Sequence, residues 1–336
     1  MQILAHSRTP RHRPLAAFAL AAFALTLLPG EQALAQGDWP SRPIKLIVPF
    51  PPGGGTDLIA RTVAQQLEQQ TKWTIVVENR AGAGGNIGVD AAAKSAPDGY
   101  TIVIGQTSNL AVNPSLYSKL PYDPLKDLKP VALLSSSPIV MATRADSRFK
   151  TFADVVAAAK AKPDTVTLGY SGNGTVSHLA GVQAAKAAGI ELRNVPYRGA
   201  SQAMTDLVGG TIDLYMSSVP TLLGAVRKGQ LRAIVTTGAT RSGQLADTPT
   251  LAESGLKDFE SVTWFGILAP AATPDPVVQK LNGALNETLK NPEVADKLRA
   301  EGGEVIGGSS ERFAKLLQAE LPRWAEIVKA SGAKVD

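Results

Sequence analysis

A glycine-rich turn between a predicted strand and a predicted helix is where this chain first offers binding chemistry. The turn is Phe50-Pro51-Pro52-Gly53-Gly54-Gly55-Thr56-Asp57, between an apolar strand predicted over Ile44–Val48 and an amphipathic helix predicted over Asp57–Gln69. Glycines let the backbone approach a ligand, and Thr56 is placed to cap the helix. Because free N–H groups at a helix N-terminus attract anions, the turn predicts an anion site. No lysine follows the glycines, so the P-loop pattern is absent.

A second glycine-rich segment follows the strand predicted over Thr74–Glu78 and opens a further helix. It is Ala81-Gly82-Ala83-Gly84-Gly85-Asn86-Ile87-Gly88, and Ile87 replaces the last glycine of a dinucleotide fingerprint. We expect its backbone, at Gly84 and Gly85, to line a ligand site, and a plain flexible turn is the alternative. Thr107 and Ser108 are further candidates, because they follow a predicted strand and ligands of open α/β sheets bind beyond strand ends.

A third such segment places a serine close to a histidine in a pattern similar to a nucleophile elbow. It is Gly169-Tyr170-Ser171-Gly172-Asn173-Gly174-Thr175, in which Asn173 replaces the final glycine of a nucleophile elbow. His178 is the single histidine after residue 12, so a Ser171–His178 pair would make a secreted hydrolase. Because His178 falls one turn inside the following helix, we expect a packed, hydrogen-bonded residue instead of a general base.

Other polar candidates are sparse. Tyr197 and Arg198 follow another predicted strand; Tyr197 is the favoured ligand contact, and Arg198 either pairs with a carboxylate or points to solvent or a structural partner. The chain has no cysteine and no tight Asp/Glu cluster, so neither a metal site nor a cofactor is predicted. Asp57 is either a ligand carboxylate or a first-turn residue favoured by the helix dipole, and we favour the second interpretation.

The first 35 residues predict export. Arg8, Arg11 and Arg13 precede the apolar run Leu15–Leu28, and small residues allow cleavage near Ala35. The run is too short to span a membrane, although an uncleaved N-terminal anchor is the alternative. The formal net charge is +5, and residues 1–35, with three arginines and one glutamate, hold +2 of it; the remaining +3 is scattered along the chain, which argues against nucleic-acid binding.

Short β-rich runs alternate with helical patterns, which predicts an α/β fold with right-handed crossovers. The remaining predicted strands are Thr101–Gly105, Val131–Leu134, Ile139–Thr143, Val166–Gly169, Leu192–Val195, Ile212–Met216, Leu231–Thr236 and Val262–Ala269. The remaining predicted helices are Asp154–Ala161, Thr175–Ala188, Ala200–Val208, Val277–Lys290, Pro292–Ala300 and Glu311–Ala330. We predict a signal peptide over residues 1–35, one lobe of residues 36–139 with 260–336, and a second lobe of residues 140–259.

Taken together, these motifs resemble the periplasmic receptors of tripartite tricarboxylate transporters, called Bug-type or TctC-like receptors. The resemblance covers residues 38–336 in the right order. It rests on Pro52–Asp57, Ala60-Arg61, Asn79–Gly85, Asp98–Tyr100, Pro130–Leu134, Ser171–Thr175, His178–Gly181, Val195–Gly199, Gly209-Gly210, Asp213, Pro249–Leu251, Glu253, Trp264–Gly266 and Ala269-Pro270.

The resemblance implies a two-lobed periplasmic binding protein, a Venus flytrap, that closes on a small carboxylate and delivers it to an inner-membrane permease. It implies a monomer without catalytic activity. In the family, backbone groups and ordered waters hold one carboxylate between the first two glycine-rich loops. The expected ligand contacts here are Phe50, Pro51, Gly53, Gly54, Thr56, Asp57, Gly84, Gly85, Thr107, Ser108, Ser171, Gly174, Thr175, His178, Tyr197 and Ser217.

Ser217 carries an expectation about the ligand. Amino-acid-binding relatives can place an aspartate four residues after the position of Asp213, and Ser217 stands there in this chain. The resemblance therefore implies a ligand without a cationic amine, such as a dicarboxylate, a hydroxy acid or an aromatic carboxylate. Two alternatives stay open: the secreted hydrolase, and a receptor whose liganded form docks on a sensor kinase.

Overall fold

The computed structural model describes residues 39–300, 302–333 and 335. The chain divides into two units, Met1–Ser41 and Arg42–Asp336. Of the first unit only Trp39, Pro40 and Ser41 are described, so the predicted export segment and its cleavage point near Ala35 lie outside the described residues.

The second unit alternates strands and helices along most of its length. The strands are β1 (Ile44–Val48), β2 (Ile75–Asn79), β3 (Thr101–Gln106), β4 (Leu128–Arg144), β5 (Thr167–Tyr170), β6 (Arg193–Pro196), β7 (Leu214–Ser218), β8 (Leu231–Thr236), β9 (Val262–Pro270) and β10 (Glu304–Val305). The helices are α1 (Gly55–Thr71), α2 (Asn86–Ala93), α3 (Asn113–Leu116), α4 (Phe152–Ala161), α5 (Val176–Ala187), α6 (Ala200–Val208), α7 (Val219–Arg227), α8 (Asp275–Lys290), α9 (Pro292–Ala300) and α10 (Ser310–Ser331).

The strands run in the order β2-β1-β3-β9-β4-β7-β5-β6, and β8 and β10 also pair with β4. At one end β1 is parallel to β2 and β3, and at the other β5 is parallel to β6 and β7. Antiparallel β9 and β4 lie between these groups. The α/β class predicted from the alternation is therefore the observed one, with mixed rather than purely parallel pairing.

Strand β4 joins the two groups of strands. Residues 128–138 pair with β9, whereas residues 139–144 pair with β7 and β8. The sequence predicted two separate strands here, Val131–Leu134 and Ile139–Thr143, and this was wrong. The polar stretch between them, with Ser135 and Ser137 fully buried, continues the ladder opposite β9 after a register shift.

Apolar side chains at strand and helix spacing form the core around this sheet. In β1 four of the five residues are buried, as expected for a strand covered on both faces. The C-terminal helix α10 packs on β4 and buries Phe313 and Trp324 completely. Glu320, on the same helix, accepts hydrogen bonds from the indole N–H groups of Trp264 and Trp324. The C-terminal helix therefore packs on a strand that lies much earlier in the sequence.

Candidate ligand-binding site

The N-termini of four helices meet around one small inner cavity. Helices α1, α5, α6 and α7 each begin directly after a strand or the short loop that follows it. The cavity has a volume of about 60 Å³, which is room for about four to six waters. Its lining residues are Phe50, Pro51, Gly54, Gly55, Thr56, Gln106, Ser108, Ser171, Thr175, Val176, Ser177, Arg198, Gly199, Ala200, Ser217, Ser218, Thr221 and Thr263.

These helix ends make the inner cavity electropositive. The N-terminus of an α-helix carries a partial positive charge, because its first N–H groups have no partner within the helix. Helices α1, α6 and α7 begin after Gly54, Gly199 and Ser218, none of which caps its helix with a side chain. Only α5 has such a cap, in which Thr175 Oγ1 accepts from His178 N at 3.3 Å. The arrangement suits an anion.

The predicted cap of α1 was wrong. The helix begins at Gly55, so Thr56 already lies inside its first turn and cannot reach back to cap it. The Thr56 hydroxyl instead donates to Gln106 Oε1 at 3.3 Å, across the inner cavity wall. The helix thus starts at Gly55, two residues earlier than predicted, and at Gly55 its backbone packs closely against α7.

Two hydrogen bonds to hydroxyl groups link the two groups of strands across the inner cavity. Gly55 N, at the start of α1, donates to Thr221 Oγ1 of α7 at 3.0 Å. Val176 N, at the start of α5, donates to Ser108 Oγ after β3 at 3.1 Å. In each bond, a backbone N–H group at a helix N-terminus donates to a hydroxyl group that follows a strand of the other group. We call this pair of hydrogen bonds the reciprocal latch.

A larger outer cavity of about 580 Å³ adjoins the first. The second glycine turn lines it, so Gly84 and Gly85 face this space and not the inner cavity. Phe50, Pro51 and Ser171 line both cavities, as does Arg198. The outer cavity is completed by Ala81, Gly82, Ala83, Gly84, Gly85, Gly172, Pro196 and Tyr197.

Asp57 supports the first glycine turn from beneath. Its carboxylate accepts hydrogen bonds from Gly53 N at 3.0 Å, Asn79 Nδ2 at 2.9 Å and Arg61 Nε at 3.0 Å. Burial raises the pKa of Asp57, but the hydrogen bonds from Arg61, Asn79 and Gly53 outweigh it and hold that pKa below its usual value. Asp57 therefore positions the turn as an ion and lines neither cavity.

His178 is packed and hydrogen-bonded. Its Nδ1 accepts from Gly174 N at 3.2 Å, and its ring lies 4.4 Å from that of Tyr170. Burial lowers the pKa of His178 to about 4, so the ring is neutral near pH 7. The Ser171 hydroxyl bonds to Tyr215 Oη instead. In the part of the chain that the structure describes, no hydrogen bond joins Ser171 to His178.

The predicted contacts thus divide into three sets. Those that line the inner cavity are Phe50, Pro51, Gly54, Thr56, Ser108, Ser171, Thr175 and Ser217. Those that line only the outer cavity are Gly84, Gly85 and Tyr197. Those that line neither of these two cavities are Gly53, Asp57, Thr107, Gly174 and His178.

Tyr197 and Arg198, the two candidates that follow β6, differ in their partners and in the cavities that they line. The Tyr197 hydroxyl donates to Asp206 Oδ2 at 2.7 Å, so it already has a partner inside the protein. Burial, followed by this bond to Asp206, raises the pKa of Tyr197 to about 12. Arg198, the less favoured candidate, lines both cavities.

Sequence reasoning missed Gln106, Thr221 and Thr263 in the inner cavity. Gln106 ends β3 directly before the predicted residues Thr107 and Ser108, so it lies at the strand end where the sequence placed ligand contacts. Thr221 lies on α7, a helix that was not predicted although Ser218 before Pro220 is a helix-start signal. Thr263 sits within β9, where nothing local distinguishes it.

Comparison with known proteins gives this site a context. The family described as the tripartite tricarboxylate transporter family receptor, TctC, matches residues 59–333. The chain belongs to the TctC family. BugT of Bordetella pertussis is 36% identical over 298 residues, which are 88% of this chain and 91% of BugT.

Two solved structures match this chain along their whole length. The R. palustris protein Rpa4515 with adipate has a TM-score of 0.86 at 33% identity, covering 89% of this chain and all of that one. MatC from Rhodopseudomonas palustris with bound malate has a TM-score of 0.81 at 31% identity, covering 86% of this chain and all of that one. The predicted Bug-type, TctC-like resemblance is confirmed, and the fold is that of two-lobed periplasmic binding proteins.

The TctC family is a family of solute-binding receptors. Within the described residues, none of the helices has both the length and the apolar character of a membrane span. Over the same residues, no three His, Cys, Asp or Glu side chains cluster in a way that would hold a metal ion.

Proposed function

We propose that this protein is a periplasmic receptor that captures a small carboxylate without a cationic amine for a tripartite tricarboxylate permease. The observation that carries the proposal is the meeting of four helix N-termini at the inner cavity. Each such terminus contributes about 0.3–1 kcal/mol of favourable energy to a nearby anion, and up to about 2 kcal/mol where the site is partly buried. An anion with oxygen acceptors fits this arrangement and the surrounding hydroxyls.

The absence of acidic lining residues supports the exclusion of amines. Among the described residues that line the two cavities, none is an aspartate or a glutamate. Ser217 lines the inner cavity, so an aspartate at this position would face the ligand and pair with an ammonium. With serine there, an ammonium would lose its hydration without gaining a counter-charge.

We infer the lobes from the partner exchange along β4. Lobe 1 is residues 36–139 with 260–336, and lobe 2 is residues 140–259; β4 changes partners between Pro138 and Ile139. The reciprocal latch joins these lobes, and a ligand in the inner cavity contacts both. Ligand binding would then favour the closed state, because only that state provides every contact.

Export completes the proposal. A signal peptide cleaved near Ala35 would deliver the receptor to the periplasm, where it acts as a monomer and passes its ligand to the permease. Catalysis has no part in it, since Ser171 and His178 are bonded to Tyr215 and Gly174 respectively.

A thermal-shift panel on the purified protein, unfolded and refolded to remove bound ligand, tests this function. The panel holds succinate, malate, adipate and benzoate beside aspartate and glutamate. A true ligand at 100 times its Kd adds about 2.7 kcal/mol of stability. Tighter binding of aspartate than of succinate or malate would contradict the exclusion of amines. A Ser217→Asp variant is the matched control, and it should shift preference towards the amino acids.

A further inference from the structure

Arg198 lies where the inner cavity meets the outer cavity. Its neighbours in this position are Phe50, Pro51 and Ser171, which also line both spaces. Among the described residues that line either cavity, Arg198 has the only charged side chain. A ligand that extends from one cavity into the other therefore lies next to the Arg198 guanidinium group.

The backbone on both sides of Arg198 is held in place. Tyr197 N donates to Tyr170 O at 2.9 Å, and the Tyr197 hydroxyl is bonded to Asp206. On the other side, Gly199 packs against Pro51 so closely that an added Cβ would lie 2.9 Å from Pro51 Cγ. The position of Arg198 is thus set by the fold, while its side chain remains exposed.

The Arg198 side chain is unpaired within the part of the chain that the structure describes. Among the described residues, none forms an ion pair or a side-chain hydrogen bond with it, whereas nearby Arg193 has Asp164 at 3.6 Å and Arg61 has Asp57 at 3.0 Å. A guanidinium offers a planar fork of donors that matches a carboxylate in bidentate geometry. The Arg198 guanidinium group can therefore bind a carboxylate of a ligand.

We propose that Arg198 binds the second carboxylate of an α,ω-dicarboxylate whose first carboxylate is held by the helix N-termini of the inner cavity. This inference rests on the proposed function. Arg198 lines the inner cavity as well as the outer one, so it is within reach of a ligand whose first carboxylate lies at the helix N-termini. The far end of such a ligand extends towards the outer cavity, and Arg198 is the group it meets there.

Arg198 would therefore set the preference for two carboxylates over one. A monocarboxylate of equal length satisfies the helix N-termini but leaves the guanidinium without a partner. A hydrogen bond between charged groups contributes about 1.5–3 kcal/mol net. The loss expected on removing Arg198 is thus about ten- to a hundredfold in affinity, confined to ligands with a second carboxylate.

Calorimetric titration of the full chain, exported, purified and stripped of ligand, tests this assignment. Succinate, glutarate and adipate are compared with butanoate, pentanoate and hexanoate, in the parent protein and in Arg198→Gln. We expect Arg198→Gln to weaken the best dicarboxylate by about ten- to a hundredfold and to leave the monocarboxylates unchanged. Arg198→Lys should recover part of the loss, because it keeps the charge without the bidentate fork.

Arg193→Gln is the matched control, since Arg193 is exposed on β6 and lines neither cavity. It should bind every acid as the parent does. An Arg198→Gln protein that keeps the full dicarboxylate preference overturns the role of Arg198 and leaves the receptor function standing. A parent protein that binds none of the six acids overturns the role of Arg198 in binding an α,ω-dicarboxylate, whereas the carboxylate function itself is overturned only if malate and benzoate also fail to bind. Arg198→Lys keeps the test decisive should the glutamine variant fail to fold.

Discussion

The glycine turns after β1 and β2 share a pattern in the sequence but have different roles in the molecule. The first, at residues 53–57, lies at the inner cavity, and the second, at residues 81–88, lies at the outer cavity. At Gly55 an added Cβ would stand 2.6 Å from Ser218 Oγ and 3.1 Å from Thr221 Oγ1. The first turn therefore needs glycine because another helix comes so close.

The second turn needs glycine for its backbone conformation. Gly84 and Gly85 have φ values of 64° and 95°, in the left-handed region that side chains disfavour. A buried amide holds this shape, since Asn113 Nδ2 donates to Gly84 O at 3.2 Å and to Asn86 Oδ1 at 2.6 Å. The first turn thus makes its closest helix contact at Gly55, with one left-handed glycine at Gly53, whereas the second has two consecutive left-handed glycines.

Gly55→Ala should break the first turn with the largest effect on binding. Its methyl group would push α7 away and disturb the inner cavity, at a cost of about 1–3 kcal/mol in the closed state. We expect affinity for the best carboxylate of the panel to fall by about tenfold or more in calorimetric titration. Gly224→Ala in α7 is the control, because no atom lies within 4 Å of its added Cβ and Gly224 lines neither cavity. Equal losses from both variants would contradict the close-approach explanation.

Gly85→Ala should damage stability more than binding. Alanine at a φ of 95° is strained, and its Cβ would meet Asn109 Nδ2 at 2.8 Å. We expect the free energy of unfolding to fall by about 1–3 kcal/mol in urea titrations, with a smaller change in ligand affinity. Gly283→Ala in α8, with no atom within 4 Å, should be neutral or slightly stabilising. A binding loss at Gly85 as large as that at Gly55 would remove the contrast between the turns.

The lowered pKa of His178, next to the third glycine segment, makes the stability of the protein depend on pH. Burial lowers its pKa to about 4 in the folded protein, against an ordinary value of 6.5. The unfolded chain therefore binds more protons between these values, so stability is full above pH 6.5 and is lost as pH falls towards 4. We expect a loss of about 1–2 kcal/mol between pH 6.5 and 5 in urea titrations. His178→Gln should flatten this part of the profile, and an unchanged slope would place the titration elsewhere.

Thr221→Val should open the reciprocal latch with the smallest effect. It leaves Gly55 N without its acceptor, which costs about 0.5–1.5 kcal/mol. We expect the ligand-free protein to give a larger radius of gyration in small-angle scattering, with ligand restoring compaction. Thr221→Ser keeps the hydroxyl and is the matched control. An identical radius for all three proteins without ligand would show that the latch does not hold the lobes together.

The family and most of the secondary-structure elements could be predicted from the amino-acid sequence alone. The strands Ile44–Val48 and Leu231–Thr236 and the helices Ala200–Val208 and Pro292–Ala300 begin and end where local patterning placed them. Apolar spacing and start signals act over a few residues, so they can be recognised without the fold. The TctC resemblance is similarly carried by ordered motifs, and the family match confirms it.

Which residues share a cavity depends on how the chain folds. The walls come from loops far apart in the chain, such as Gly55 against Thr221 and Val176 against Ser108. Local patterns could not show that Ser135 and Ser137 continue a single long strand. Nor could they show that Tyr197 is already bonded to Asp206 while Arg198 remains unpaired among the described residues. Burial, pairing and cavity shape depend on contacts between distant segments, and these exist only after the chain has folded.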